Sequence, residues 1–424
     1  MKMSNHVTST NAKDDQRHAR HLAILTRGLA GGGVQRMMRH TADELAARGF
    51  KVDLLIRSAG SIKNAPANLQ TVHLRRWPRS VGRVMALRAD PAGFREQLKP
   101  VLLTPFAAEP LGLIPGLTRY LREQRPDGLI SATTYMNLAS IWARQLAGTS
   151  TRLLVSERDN LSQNLRTGRV GKSWRWRHLP RLLHRTYPMA DAIIGVSEGV
   201  SEDIERLASL PPGLVKTVYN PILTDDIPGQ AALPVDDPWL TAGGPPVVLA
   251  AGRLVAKKDY PMLLRGFARL RQSRELKLII LGKGPDLRKL QKVARNLSID
   301  QDVRFVGWID NVYAYMARAS VFALTSMREG LPGVLIQALA CGCPVVSTDC
   351  PSGPAEILDQ GRVGRLVEIG DDASLAEALA ATIDNPPSAD RLRQHVAPFT
   401  AANAVDGYLD AMGFARAPSA PCAL

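Results

Sequence analysis

One segment, residues 326–354, has the residue types and spacing of a ligand-binding loop. The pattern predicts strand, acidic loop, helix and strand, because apolar runs enter and leave the segment while glycine and proline interrupt it. Where a strand ends and a helix begins, backbone N–H groups stay unpaired, and here they lie beside one carboxylate. That combination suits a polar, partly anionic ligand with hydroxyl groups. The candidate contacts are Glu329, Gly330, Leu331 and Pro332 of the loop, together with Gln337, a little over two helical turns beyond the glutamate.

Two further loops have residues suited to phosphate groups. The run 246–252 predicts a buried strand, and Arg253 and Lys258 follow it, just before a predicted helix. Two cations in that position can converge on a diphosphate. Near the start of the chain, the strand pattern 21–27 is followed by a glycine loop and a helix, which lets the backbone approach a phosphate. The glycines of that loop are Gly31, Gly32 and Gly33.

The elements that must position these loops alternate between strand and helix in both halves of the chain. This alternation predicts an α/β protein with mainly parallel sheets, whose ligands lie at the carboxyl ends of the strands. A stretch rich in Pro, Gly and Asp separates the halves. We expect a disordered N-terminus at 1–19, a first domain at 20–222, a linker at 223–245, a second domain at 246–395 and a C-terminal helix and tail at 396–424.

Composition restricts the compartment and the partners. No apolar run approaches the roughly 18–20 residues of a membrane-spanning helix, and the polar N-terminus is unlike a secretory signal, so we expect a cytoplasmic protein. Four cysteines fit no spaced ligand pattern, so we expect packing thiols and no metal. Residues 1–220 hold 33 Lys and Arg against 17 Asp and Glu, so this half is expected to face phosphates, unless it is merely a basic surface.

A basic stretch at residues 166–185 is the first candidate for such a contact. It carries no acidic residue, and Trp and Leu are interleaved with its cations. This pattern is typical of a surface that lies on an anionic membrane, but it equally suits nucleic-acid phosphates or a solvated helix. The cations are Arg166, Arg169, Lys172, Arg175, Arg177, Arg181 and Arg185, and the interleaved residues are Trp174, Trp176, Leu179, Leu182 and Leu183.

The acidic loop and its continuation through residues 338–354 resemble the signature of the retaining glycosyltransferases of family 4. The Gly-Arg-Leu run that contains Arg253, followed by Lys258 and Asp259, resembles a second signature of that family. The resemblance implies the GT-B fold, with two Rossmann-like domains facing across a cleft and a last helix that crosses back onto the first domain. It also implies transfer of a sugar from a nucleotide-sugar donor, with no metal or other cofactor.

The resemblance implies roles for individual residues of the donor site. Arg253 and Lys258 bind the donor's phosphates together with the glycine loop 31–33, and Glu329 holds hydroxyls of the sugar. Gln337 stands where relatives have a second Glu that binds the ribose. Because Gln keeps one acceptor oxygen at the same side-chain length, we expect an active enzyme. The strand ends that line the nucleobase pocket in the family are here Gly282, Gly284, Gly307 and Trp308.

The acceptor side departs from the family pattern. Many relatives place a His near the end of the strand that corresponds to residues 152–156, and this chain offers none there. We assign Glu157 and Arg158 to the acceptor side, with an ordinary salt-bridged loop as the alternative.

These observations favour a retaining transferase that moves a sugar, most simply from a UDP-sugar, to a sugar-containing and possibly lipid-linked acceptor in cell-surface glycan biosynthesis. We expect peripheral association with an anionic membrane at the inner face of the cell membrane and no nucleic acid partner. Two alternatives stay open. One is a catalytically silent protein that binds membrane surfaces or nucleic acid through the basic half, and the other is a phosphorylase or sugar-nucleotide epimerase.

Overall fold

Two parallel sheets form the framework of the protein. The structure, a computed structural model, describes residues 20–29, 32–57, 60, 62, 65–103, 108–167, 177–241 and 243–415. The first sheet consists of β1 (His21–Leu25), β2 (Lys51–Ile56), β3 (Leu69–His73), β4 (Gly128–Ala132), β5 (Arg152–Glu157), β6 (Ala192–Gly195) and β7 (Val215–Thr217). The second consists of β8 (Val247–Ala251), β9 (Lys277–Leu281), β10 (Val303–Gly307), β11 (Val321–Leu324), β12 (Val345–Thr348) and β13 (Arg365–Val367). The predicted pair of Rossmann-like domains is confirmed.

The strand order of each sheet creates a crevice for a ligand. The order is β3-β2-β1-β4-β5-β6-β7 in the first sheet and β10-β9-β8-β11-β12-β13 in the second. In each sheet the chain moves outward in one direction from the first strand and then returns to its other side. Ligands of such sheets bind beyond the carboxyl ends of the two strands at this reversal. Those strands are β1 and β4 in the first domain and β8 and β11 in the second.

Helices cover both faces of the sheets. They are α1 (Gly33–Ala47), α2 (Arg79–Ala89), α3 (Phe94–Gln97), α4 (Ala108–Leu111), α5 (Ile114–Gln124), α6 (Thr134–Ala147), α7 (Leu161–Thr167), α8 (Leu179–Thr186), α9 (Glu198–Ala208), α10 (Ile227–Ala232), α11 (Tyr260–Arg271), α12 (Leu287–Asn296), α13 (Tyr313–Met316), α14 (Gly333–Ala340), α15 (Pro354–Ile357), α16 (Asp372–Asp384), α17 (Ala389–His395) and α18 (Ala401–Ala411). A π-helical turn, Leu98–Leu102, continues α3.

The apolar runs of the sequence form strands because both faces of each sheet are covered. Every residue of β4 and of β8 is buried, which favours apolar side chains on both sides of the sheet. Separate apolar clusters lie on the two faces of each sheet. The cysteines of the second domain belong to this packing, since Cys341, Cys343 and Cys350 are buried free thiols.

Two segments join the domains: the hinge, which we define as residues 220–245, and the last helix. Residues 223–245, predicted as a linker, contain α10 and pack on the second domain, where the amide of Asn311 donates to the Gln230 carbonyl at 2.8 Å. Helix α18 then returns to the first domain, and Tyr408 and Leu409 are buried in the cluster beneath α1. A further contact is the ion pair between Arg48, the residue after α1, and Asp406 of α18. None of the helices in the described residues is long and apolar enough to cross a membrane.

Candidate active site

The N-terminus of α1 presents free backbone donors at the carboxyl end of β1. Gly32 precedes the helix in an extended conformation, and no side chain caps the first turn. A Cβ built on Gly33 would meet no atom of the described residues within 4 Å. Unpaired N–H groups and the positive end of a 15-residue helix favour an anion here. Gly31 lies outside the described residues.

The loop after β8 brings cations to the matching point of the second domain. Arg253 follows the strand directly, is exposed, and pairs with no carboxylate among the described residues. The chain then makes a 3₁₀ turn, Ala256–Lys258, which ends at Asp259 with a φ of 40°. The Asp259 side chain accepts from the Met262 amide and so caps α11. This turn directs Lys258 back toward β11 instead of outward into solvent.

Glu329 is the anionic centre of the site. Its carboxylate is buried and accepts hydrogen bonds from Lys258 Nζ at 2.6 Å and from Ser326 Oγ at 2.7 Å, and Lys257 Nζ lies 3.9 Å away. Burial alone would raise the pKa of Glu329, but the ammonium groups of Lys258 and Lys257 outweigh it and hold the pKa below its ordinary value. Glu329 is therefore a carboxylate at neutral pH.

Hydrogen bonds to main-chain carbonyls hold the loop after β8 against the loop after β11. The Met327 amide donates to the Lys257 carbonyl at 2.8 Å, and the Thr325 hydroxyl donates to the Lys258 carbonyl at 3.0 Å. The Thr348 hydroxyl of β12 donates to the Ser326 carbonyl at 2.6 Å. The cations and the carboxylate are thus held by main-chain hydrogen bonds, as a preorganised site requires.

The first domain closes directly on this loop. A Cβ added to Gly330 would lie 2.1 Å from the carbonyl oxygen of Arg158, so only glycine permits the observed approach of the two domains. The Gly330 carbonyl in turn accepts from Ser197 Oγ at 2.9 Å. Nearby, the Asn160 amide donates to Ser352 Oγ at 2.9 Å. These contacts hold the carboxyl end of β5 against the acidic loop.

The structure places the two residues assigned to the acceptor side, Glu157 and Arg158, in buried positions. Glu157 is buried inside the first domain and accepts hydrogen bonds from Thr134 and Tyr187. Burial raises its pKa to about 7, although these hydrogen bonds oppose the shift. The Arg158 guanidinium is also buried and donates to Asn220 of the hinge and to the hydroxyl of Tyr408. Both side chains are buried. For Glu157 the reason is that β5 continues one residue further than predicted and includes it.

Asp159, the next residue, stands in the cleft instead. Its carboxylate lies 3.8 Å from Lys257 Nζ, so Lys257 bridges Asp159 of the first domain and Glu329 of the second. The sequence analysis missed Asp159 and Lys257. A signal for Lys257 was available, because it adjoins Lys258, but only the 3₁₀ turn shows that both ammonium groups face the acidic loop.

Three of the predicted nucleobase residues are explained in part by packing of the strand ends. A Cβ on Gly282 would lie 2.0 Å from the Gly252 carbonyl oxygen, and one on Gly284 would lie 2.2 Å from that of Leu254. The Gly282 amide donates to the Gly307 carbonyl at 2.6 Å. The three loops therefore lie in direct contact, and the assignment of this edge to a nucleobase stays a prediction. Trp308 follows at its rim, half exposed.

Gln337 lies on α14, buried, where its amide nitrogen donates to the hydroxyl of Tyr313 at 3.1 Å. Of the other predicted donor contacts, Leu331 is buried in a cluster that also contains Ile222 of the hinge. Pro332 directly precedes α14. Glu329 and Gln337 thus belong to one continuous loop and helix, as the sequence predicts.

The basic stretch is arranged differently from the expectation for a membrane surface. Residues 168–176, which include Trp174 and Trp176, lie outside the described residues. Leu179, Leu182 and Leu183 of α8 are fully buried in the core of the first domain. Arg185 pairs with Asp90, and the exposed cations of the stretch among the described residues are Arg166, Arg177 and Arg181. The leucines are therefore unavailable to a lipid surface.

Comparison with known proteins identifies the class of protein. Residues 236–397 match the family model described as glycosyl transferases group 1, and residues 31–226 match the model described as glycosyltransferase family 4. The two models take up the second and the first domain in turn. The chain therefore belongs to the glycosyltransferases that these two models describe, and it has the GT-B fold.

Curated relatives include bacterial enzymes of glycan synthesis. The N-acetylgalactosamine-N,N'-diacetylbacillosaminyl-diphospho-undecaprenol 4-alpha-N-acetylgalactosaminyltransferase of Campylobacter jejuni is 36% identical over 213 residues, which are 50% of this chain and 55% of that protein. The lipopolysaccharide 1,6-galactosyltransferase of Escherichia coli is 27% identical over 273 residues, 63% of this chain and 68% of that protein. The chain thus spans little more than half the length of the first of these relatives.

Solved structures share the architecture at low sequence identity. The apo form of the lipopolysaccharide outer core galactosyltransferase WaaB superposes with a TM-score of 0.65 and 20% identity, over 93% of this chain and 99% of that one. Anabaena HepE, solved in complex with UDP and glucose, superposes with a TM-score of 0.70 and 18% identity over the same shares. At these identities the comparison confirms the fold.

Proposed function

We propose that the protein is a retaining glycosyltransferase that moves a sugar from a nucleotide-sugar to a sugar-containing acceptor. One observation carries the proposal: Lys258 and Glu329 form a largely buried ion pair at the strand reversal of the second domain, beside Arg253, which pairs with no carboxylate among the described residues. Across the cleft, the uncapped N-terminus of α1 occupies the matching reversal of the first domain. Cations and N–H dipoles fixed in this way are suited to the charge that develops on a departing diphosphate.

The ion pair suggests how donor binding prepares the site. Before the donor arrives, Lys258 neutralises Glu329. When the diphosphate pairs with the Lys258 ammonium and the Arg253 guanidinium, Glu329 becomes free to accept hydrogen bonds from hydroxyls of the sugar and to orient the ring. The proton of the attacking acceptor hydroxyl passes to the leaving phosphate oxygen, so that the new glycosidic bond forms on the face that the diphosphate leaves. This step needs no metal.

Asp159 and Lys257 are the proposed acceptor side. Asp159 reaches the sugar site from the first domain, and Lys257 reaches it from the loop after β8. The Lys257 Nζ lies 3.8 Å from the Asp159 carboxylate and 3.9 Å from the Glu329 carboxylate. A carboxylate and an ammonium placed there can receive hydroxyl groups of an incoming sugar. Asp159 thereby replaces Glu157 and Arg158 in the proposal.

The donor is proposed to be a UDP-sugar. The relatives named above transfer N-acetylgalactosamine and galactose, and HepE binds UDP and glucose. A thermal-shift screen of UDP-, GDP- and ADP-sugars tests this proposal. A UDP-sugar at about 100 times its Kd should add roughly 2.7 kcal/mol of stability and raise Tm by several degrees. If no nucleotide-sugar shifts Tm while duplex DNA does, the alternative of a silent binding protein replaces this one.

The acceptor is proposed to be lipid-linked and presented at an anionic membrane. The supporting feature is the α2–α3 surface, which we define as the exposed residues between 75 and 103 together with Arg177 and Arg181 of the adjoining α8 region. Large apolar side chains that are 41–55% exposed are concentrated there, namely Trp77, Val84, Phe94 and Leu103. The same stretch carries exposed cations, namely Arg75, Arg76, Arg79, Arg88 and Arg95. Aromatic and aliphatic groups among arginines favour the headgroup region of an anionic bilayer.

The position of the α2–α3 surface fits an acceptor that arrives from the membrane. The hydroxyl of Tyr135 donates to the Pro100 carbonyl at 3.2 Å, which ties the π-helical turn to the start of α6. The neighbouring Thr134 donates to Glu157, two residues before Asp159. The π-helical turn at the end of this stretch is therefore linked through α6 to β5, the strand that leads to Asp159.

Vesicle binding tests the α2–α3 surface. The protein should cosediment with vesicles that contain anionic phosphatidylglycerol and should be released by high salt, because each arginine near the surface contributes about 1 kcal/mol that salt screens. Phe94→Glu should reduce binding at least tenfold. Leu214→Glu, which changes an exposed apolar residue near β7, serves as the matched control and should bind like the parent. Equal binding of both variants would remove this surface from the proposal.

A further inference from the structure

The buried carboxyl group of Glu157 joins three elements of the first domain at the end of β5. Its Oε1 accepts hydrogen bonds from the Tyr187 hydroxyl and, at 3.4 Å, from the Asn137 amide, and its Oε2 accepts from the Thr134 hydroxyl at 3.0 Å. Thr134 and Asn137 lie in the first turn of α6, which follows β4. Tyr187 begins the 3₁₀ turn after α8. The reaction proposed above makes no use of this network.

The chain is strained where β4 ends beside this carboxyl group. Thr133 has a φ of 79°, a conformation that a β-branched residue keeps only where its surroundings hold it. The Ser156 carbonyl provides such support, since it accepts from the Thr133 amide at 3.0 Å and from the Asn137 side chain at 3.0 Å. Thr133 and Thr134 are partly exposed at the strand reversal, where ligands of such sheets bind. The buried polar groups therefore hold residues at the ligand-binding edge of the first sheet.

The hydrogen bonds of Glu157 suit its ionised form, because α6 and the turn after α8 present donors to it. Burial raises the pKa of Tyr187, and the Glu157 carboxylate adds to the rise, so the phenol stays a donor at neutral pH. Burial also raises the pKa of Glu157 to about 7, opposed by its three hydrogen bonds and reinforced by the Asp159 carboxylate. A protonated carboxyl group must instead donate. The buried Asn137 Oδ1 is an acceptor without a partner among the described residues.

We propose that Glu157 is a positioning residue, which holds the ends of β4 and β5 in the arrangement that places Asp159 for the acceptor. The inference rests on the proposed function, since Asp159 receives the acceptor hydroxyl there. The ionised carboxylate completes the network. When a proton binds, the carboxyl group takes Asn137 Oδ1 as its acceptor, so the amide turns and its bond to the Ser156 carbonyl is lost. The strained end of β4 then relaxes, and Asp159, two residues beyond Glu157, loses its position.

The pH profile of donor hydrolysis tests the inference without a known acceptor, because water takes the place of the acceptor hydroxyl. The probe is the nucleotide-sugar that stabilises the protein in the thermal-shift screen. The parental kcat should fall about tenfold from about pH 8 to about pH 6, while KM for the donor stays constant. Glu157→Gln should give the low kcat at every pH, since its amide is uncharged like the protonated carboxyl group. Tyr187→Phe should move the midpoint upward by about one pH unit, because it removes a donor to the ionised form.

Tyr135→Phe is the matched control, because it removes a phenol hydroxyl of α6 that donates to Pro100 and not to Glu157. It should keep the parental pH profile. If Glu157→Gln keeps that profile too, another group sets the pH dependence, and the inference is overturned while donor hydrolysis upholds the proposed function. Should Glu157→Gln fail to fold, an unshifted midpoint in Tyr187→Phe overturns the inference equally. If no nucleotide-sugar is hydrolysed at any pH, the proposed function fails and this inference fails with it.

Discussion

Replacing Lys258 or Arg253 with alanine is expected to lower kcat/KM for sugar transfer by about 30- to 900-fold. The range corresponds to roughly 2–4 kcal/mol, the loss measured when one preorganised group that stabilises developing charge is removed. Arg253 is exposed and pairs with no carboxylate among the described residues, so its free charge is available to the diphosphate. Lys258 is held by Glu329 at 2.6 Å and would be released to the donor on binding.

The two variants should differ in stability, which separates the roles of the two cations. Arg253→Ala should fold with the parental Tm, because the guanidinium is exposed and makes no ion pair with a described residue. Lys258→Ala leaves the buried Glu329 carboxylate with Ser326 and the more distant Lys257, so its Tm should fall. Lys292→Ala, which removes an exposed cation of α12, is the control and should match the parent in both measurements. Near-parental kcat/KM in both site variants would refute the phosphate assignment.

Gly330→Ala should reduce activity by about a hundredfold through the contact between the domains. The new methyl group would lie 2.1 Å from the carbonyl oxygen of Arg158 and 2.8 Å from its carbonyl carbon. Both are backbone atoms at the end of β5, so no side chain can rotate away, and the acidic loop or the whole domain must shift. A displacement of about 1 Å at reacting groups can cost a hundredfold in rate, and Glu329 is the adjacent residue.

Gly229→Ala is the matched control for this prediction. Gly229 lies on α10, and a Cβ there would meet no atom within 4 Å. The control should keep full activity, and both variants should retain parental secondary structure by circular dichroism. Full activity of Gly330→Ala would show that the close approach of the two domains is not needed for turnover.

The fold could be predicted from the sequence because parallel strands covered on both faces appear as unbroken apolar runs. The run 247–251 is such a case, and all five of its residues are buried. The loops that follow these runs were also identifiable, since Arg253 and Lys258 lie in the loop after β8 and Glu329 lies in the loop after β11. The reversal of strand order then brings the ends of β8 and β11 together.

What the sequence left open depends on which way side chains point. Glu157 and Asp159 look alike in sequence, but β5 extends to Glu157, which turns that side chain into the core and leaves Asp159 in the cleft. The leucines of α8 form an apolar face that could pack on lipid or on protein, and only the assembled domain shows that Leu182 and Leu183 are buried in it. Tyr313 carries no local signal, because its partner Gln337 is distant in the sequence.

The anomeric configuration of the sugar first released from the donor is the most direct test of the central claim. Proton NMR should follow the protein incubated with the nucleotide-sugar that gives the thermal shift, since slow transfer of the sugar to water needs no known acceptor. The account predicts loss of the donor's anomeric signal together with the appearance of free sugar of the same anomeric configuration before mutarotation, and far slower loss with Lys258→Ala. An inverted sugar as the first product, or a saturated donor that stays intact in every acceptor mixture, would contradict it.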